Sequence, residues 1–89
     1  MRVLFRPEAR DEAKEAARWY EHRVEGLGAE FRRALDAAVS AALRAPQEFP
    51  RVEGEVRRCL LRRFPYSLLF RVHGEVLLVV AVMHHRRRS

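Results

Sequence analysis

Four arginines stand close together in the second half of the chain, Arg57 and Arg58 and then Arg62 and Arg63, with Phe64 and Tyr66 just after them. Arg71 follows, and the sequence ends His84-His85-Arg86-Arg87-Arg88-Ser89. Guanidinium groups hold phosphate through paired hydrogen bonds and aromatic rings stack on bases, so this pattern suits a nucleic acid or another anionic partner. Cleavage of RNA would ask for more: a base for the 2′-hydroxyl, an acid for the leaving 5′-oxygen and a cation over the developing negative charge. Histidine and arginine are suitable types for those roles. In an extended strand His84 and His85 would point to opposite faces, so at most one of them is expected in a single site, with Arg71 or Arg86 as a partner. The plainer reading is a strand that ends in histidine and a solvated arginine tail.

Other chemistries find little support. There is no GxGxxG, P-loop, HExxH or GxSxG sequence, so nucleotide-cofactor and hydrolase mechanisms have no motif to rest on. Cys59 is the single cysteine and is expected to pack as a small apolar side chain. No ligand spacing joins it to His84 and His85 as a zinc site, and neither a metal nor a cofactor is expected. His22 and His73 read as a helix-surface residue and a turn residue. Trp19 and Tyr20 read as core and rim of a helix.

Charge is divided unevenly. Residues 1–50 carry nine basic and nine acidic side chains, whereas residues 51–89 carry nine arginines against Glu53, Glu55 and Glu75, so the net charge of +6 belongs to the second half. Lys14 is the only lysine. The planar arginine fork suits phosphate or carboxylate better than a point charge does. The longest apolar run, Val76 to Met83, falls far short of the roughly 18 residues of a membrane span. The first residues, Met1-Arg2-Val3-Leu4-Phe5, lack the apolar stretch of a signal peptide. A cytoplasmic protein with no membrane partner is the expectation.

Eighty-nine residues, 48% hydrophobic and 34% charged, suffice for one modest core, so residues 1–89 are expected to form one domain. Arg2 to Arg6 fits a short strand stopped by Pro7, which then opens a helix. Ala9, Ala13, Ala16, Ala17, Tyr20 and Val24 recur at helical spacing until Gly26 and Gly28. So many alanines on one face predict a close packing partner. Leu27, Phe31, Ala34, Leu35, Ala38, Val39, Ala42 and Leu43 form a second stripe that stops before Pro46. A proline-bracketed connector, residues 46–50, leads to strands at Val56–Leu61, around Tyr66–Val72 and at Val76–Met83, with His73-Gly74 turning the chain. The last of these is apolar at every position, which predicts a central strand covered above and below. The fold class is therefore α+β, ordered β-α-α-β-β-β, with a helical hairpin packed on a mainly antiparallel four-stranded sheet.

Several short stretches together resemble the RelE/ParE family of toxins from bacterial type II toxin-antitoxin systems. They are Pro7-Glu8-Ala9, Ala17-Arg18-Trp19-Tyr20, Gly26-Leu27-Gly28 with Phe31, Pro46 with Phe49-Pro50, Arg57-Arg58, Arg63-Phe64-Pro65-Tyr66, Phe70-Arg71-Val72 and Ala81-Val82 ahead of His84, Arg86 and Arg87. The similarity lies in their order and spacing over nearly the whole chain. It implies a growth inhibitor neutralised by a cognate antitoxin, in a hetero-oligomer with it or as a homodimer. It also implies one of two targets. The RelE-like branch is a metal-free, ribosome-dependent mRNA endonuclease, and the ParE-like branch poisons DNA gyrase. Under the first, the resemblance makes His85 and Arg86 the catalytic residues. Ser67 stands where those enzymes place a second arginine, and the sequence reaches Ser89 without their terminal tyrosine. The Arg-Phe-Pro-Tyr stretch and the His84-x-Arg86-Arg87 ending look more like the ParE-like branch, which is the one expected. A decayed family member that keeps the fold without toxicity is the remaining alternative. The binding surface expected under these readings comprises Arg57, Arg58, Arg62, Arg63, Tyr66, Arg71, His84 and Arg87.

Overall fold

A computed structural model describes residues 1–86, so the candidate binding residue Arg87 lies outside the described residues. The elements run β1 (Arg2–Phe5), α1 (Pro7–Arg23), α2 (Leu27–Arg44), β2 (Arg51–Glu53), β3 (Val56–Leu60), β4 (Tyr66–His73) and β5 (Val76–His84). A 3-10 turn at Pro46–Glu48 joins α2 to β2. The sheet order is β1-β5-β4-β3-β2. β1 lies parallel to β5 and every other neighbour is antiparallel: the two helices carry the chain from β1 at one edge to β2 at the other, and β3, β4 and β5 return it strand by strand to pair with β1.

Pro7 opens α1, where its missing N–H costs nothing and its fixed φ suits the first turn. Ala9, Ala13, Ala16 and Ala17 are its buried positions, and their small side chains bring the helix axis close to its neighbours. Between the helices, Gly26 takes the left-handed region at φ 88°. Gly28 is needed for a different reason: a Cβ there would stand 2.6 Å from the Ala17 carbonyl oxygen of α1. The Glu21 carboxylate closes the turn by accepting from the backbone N–H of Gly26 at 3.0 Å and of Gly28 at 2.9 Å. Those two hydrogen bonds hold its carboxyl below the ordinary value of 4.5. α2 buries Phe31, Leu35, Ala38 and Ala42. Phe31, Phe70, Leu68, Leu77, Val79 and Val82 are the largest fully buried side chains, and they fill the single layer between hairpin and sheet.

Four features differ from the expectation. The sheet has five strands, because Arg51–Glu53 pairs with β3 directly after Pro50; three residues are too few to show a period in the sequence. β5 is central in the order but covered on one side only: Leu77, Val79 and Val82 are buried, while Val76, Leu78, Val80 and Met83 stay partly exposed on a face no helix reaches. Trp19 and Val24 are not core residues; they are 52% and 59% exposed, Trp19 because α1 turns that part of its surface away from the sheet and Val24 because the helix has ended at Arg23 and its backbone is extended. The alternation along β5 also shifts midway. Phe70 pairs with Val79 and Leu69 with Ala81, so Val80 is an extra residue, and this bulge moves the covered face from odd to even numbers.

Candidate functional site

The loop between β3 and β4 begins from a residue that packs and one that is strained. Phe64 is buried against Tyr20 and Phe31, at ring-centroid separations of 4.8 and 5.2 Å. That anchor holds the preceding Arg63 at φ 73°, a left-handed conformation unusual for a residue with a side chain. The Arg63 guanidinium meets the Glu30 carboxylate of α2 at 3.0 Å. Tyr66 follows Pro65 and joins the same aromatic cluster, 5.1 Å from Phe31 and 6.2 Å from Tyr20. Burial pushes the Tyr20 phenol above 10.0 and the neighbouring Tyr66 adds to the shift, so Tyr20 is a neutral hydrogen-bonding group at ordinary pH.

Across the sheet Tyr66 pairs with His84, and the two rings meet edge to face at 5.1 Å. β5 ends there. The His85 N–H donates to the Pro65 carbonyl at 2.8 Å, and the Arg86 N–H donates to His84 Nδ1 at 3.0 Å. The second bond requires an unprotonated Nδ1, which assigns the proton of neutral His84 to Nε2. These contacts turn the chain, and a groove of about 960 Å³ opens between α1 and the end of β5. Ala16, Trp19, Tyr20, Tyr66 and Val82 supply its apolar surface; Glu12 and Glu15 line it from α1, and His84, His85 and Arg86 from the strand end.

His84 and His85 therefore both line one groove, contrary to the expectation that at most one could. The strand stops at His84 and His85 lies in a turn, so the alternation that would separate them no longer applies. The remaining candidates do not gather with them. Arg58 pairs across β4 with Leu69, and Arg71 across β5 with Leu78, which places both on the uncovered face of the sheet. Arg57 faces the other way and braces the connector, donating to the Phe49 carbonyl at 2.6 Å and to that of Gln47 at 3.4 Å. Arg62 is exposed on the loop. Ser67 is buried on the uncovered face, paired with Leu60 and Met83 on either side. Cys59 packs in the core, where burial pushes its thiol up.

Reading from the sequence overlooked Glu12 and Glu15 and assigned Trp19 to the core rather than to this groove. Their signal was the spacing: with Ala16 they lie three, four and seven residues apart, one stripe along a helix, and that stripe sits beside the alanine face.

Comparison with known proteins agrees with this architecture. A structure titled "Chromosomal ParDE TA system from P. aeruginosa" superposes with a TM-score of 0.82 over 94% of this chain and 95% of that one, at 17% sequence identity, which establishes a shared fold. No curated protein matches. The family described as ParE toxin of type II toxin-antitoxin system, parDE, matches residues 3–89. The chain thus belongs to the ParE toxin family of type II toxin-antitoxin systems.

Proposed function

We propose that this ParE-family toxin arrests growth by binding and poisoning DNA gyrase without cleaving RNA, and that a cognate antitoxin neutralises it. The observation that carries the reading is the division of the charged groups. Tyr66, His84, His85 and Arg86 stand at the groove, whereas Arg58 and Arg71 face the other side of the sheet and a serine holds position 67. A phosphodiester transition state needs base, acid and cation around one atom group. A binding surface tolerates, and gains reach from, cations spread over a face and an edge. Purified protein is expected to trap gyrase-cleaved DNA in a supercoiling assay. Unaltered supercoiling at every dose would exclude gyrase as the target.

A second reading keeps one observation in its favour, the meeting of His84, His85 and Arg86 at the groove. Ribosome-dependent mRNA cleavage by His85 and Arg86 would leave codon-phased cuts in induced cells, lost in His85→Ala and Arg86→Ala. Intact transcripts in arrested cells exclude it. Normal growth on expression without the antitoxin would leave only a non-toxic family member.

A further inference from the structure

The sequence interleaves arginines with aromatic residues, and the sheet separates them again. Tyr66 points to the covered side, where it meets Phe31 and Tyr20, and Phe64 is buried against the same two rings. Arg58 and Arg71 point to the uncovered side. Strand pairing gives that face its rows. Arg58 stands opposite Leu69, Arg71 opposite Leu78 and Leu78 opposite Leu4, while Leu60, Ser67 and Met83 make the next row. Among the described residues no aromatic side chain is paired into these rows.

The two arginines are diagonal neighbours on adjacent strands. Arg71 stands two residues beyond Leu69, the partner of Arg58, which sets their Cα atoms roughly 7–8 Å apart. Like charges so placed repel, and neither makes an ion pair or a side-chain hydrogen bond among the described residues. Glu53 stands opposite Val56 at the sheet edge and pairs with neither. One carboxylate set between the two guanidinium groups would bond to both and cancel the repulsion. The apolar surroundings decide what carries it. Leu60 is 57% and Leu4 47% exposed, and with Leu69, Leu78 and Met83 they border the arginines on both sides. A nucleic acid brings phosphate but gains little from leucine, and these rows hold no ring on which a base could stack. An amphipathic protein element brings acid and apolar groups together.

We propose that the uncovered face of the sheet docks an acidic, amphipathic protein element of the toxin's target, with a carboxylate held between Arg58 and Arg71 and apolar side chains seated on Leu4, Leu60 and Leu78. The proposal rests on the gyrase reading above for the identity of that target. Charge selects such a partner over a second copy of this chain, which would bring the same unpaired cations to the interface. The leucines select it over a bare polyanion, because they contribute only when another apolar surface covers them.

Binding of the purified full chain to gyrase, and separately to the antitoxin encoded beside it, tests the assignment. Leu60→Ser removes apolar contact and leaves the charge unchanged; it should weaken gyrase binding about tenfold, the scale of one buried leucine side chain. Arg58→Ser with Arg71→Ser should weaken it at least about 100-fold, about tenfold for each charge-assisted hydrogen bond lost. Affinity for the antitoxin should stay within a few-fold in both, and thermal melts establish that each variant is folded. Loss of gyrase affinity in the arginine variant alone means a polyanion partner, and loss in Leu60→Ser alone leaves the carboxylate without a place; either overturns the proposal. Unaltered gyrase affinity in both folded variants, or loss of antitoxin affinity in its stead, overturns it as well and leaves the gyrase reading standing. A parent chain that does not bind gyrase overturns both.

Discussion

The two faces of the sheet are built from alternate residues of the same strands, and they divide the work between them. On the covered face Leu68, Phe70, Leu77, Val79 and Val82 lie fully buried beneath the hairpin, with Phe31 packed onto them. On the uncovered face Leu60 is 57% exposed and Leu4 47%, and Arg58 and Arg71 stand among Leu69 and Leu78. One residue inserted at Val80 keeps β5 in step with this division as it bends. Stability is thereby concentrated on one side, which leaves the other free to carry groups that a core would not accept. Arg58 and Arg71 are placed accordingly, on the face turned away from the layer that holds the chain together.

The sharpest way to break the covered face is at Phe31, which has no exposed surface and touches Tyr20, Phe64 and Tyr66 through its ring. Phe31→Ala is expected to cost about 3–5 kcal/mol in a denaturant melt, and it should loosen the Phe64 anchor and with it the strained Arg63 turn. Gly28→Ala should come next. In an open helix that change gains roughly 1 kcal/mol, but here the new Cβ meets a backbone oxygen at 2.6 Å, and backbone does not yield as a flexible side chain would. A net loss of about 1–3 kcal/mol, read as a lower thermal midpoint, is expected.

How much of this could be read in advance depends on whether the signal was local. Both helices, the glycine turn and the three long strands follow from periodicities of several turns or alternations, and all were legible. β2 was not, because three residues carry no period. The uncovered face of β5 was not legible for a different reason. An unbroken apolar run says that a strand is central, and it reads the same whether the second layer belongs to this chain or to nothing in it. The site divided along the same line. That Tyr66 and His84 meet follows from strand pairing, but Glu12 meets Val82 across seventy positions, and the helical stripe that carries Glu12 says nothing of that contact. The assumption of an extended chain through His85 failed because the turn that ends β5 includes a hydrogen bond to a side-chain nitrogen, His84 Nδ1, which no alternation of residues foretells.

Acid sharpens the comparison at the hairpin that covers the sheet. Glu21 has its carboxyl lowered in the folded chain by the Gly26 and Gly28 N–H groups, so its contribution to stability is fully present above the unfolded value near 4.5 and is lost as pH falls through the lower folded value. Glu21→Gln cannot titrate, and its stability should fall less steeply over that window than that of the parent. Parallel urea melts between about pH 6 and pH 3 check this; equal slopes would mean that the carboxylate does not act through its charge.

The smallest effect on stability is expected on the uncovered face, and there its smallness is informative. Arg58 and Arg71 make no ion pair among the described residues, and their register neighbours Leu69 and Leu78 do not depend on their charge for packing. Arg58→Ser with Arg71→Ser should therefore change unfolding free energy by no more than about 0.5 kcal/mol per site. If that face meets the target, the same pair should relieve growth arrest on expression, while antitoxin binding stays within a few-fold of the parent. A double variant that is as stable and as toxic as the parent would move the toxic surface to the covered side, where the groove residues Tyr66, His84 and Arg86 would have to carry it. A stable variant that has lost toxicity alone would make the two faces separate in function as well as in packing.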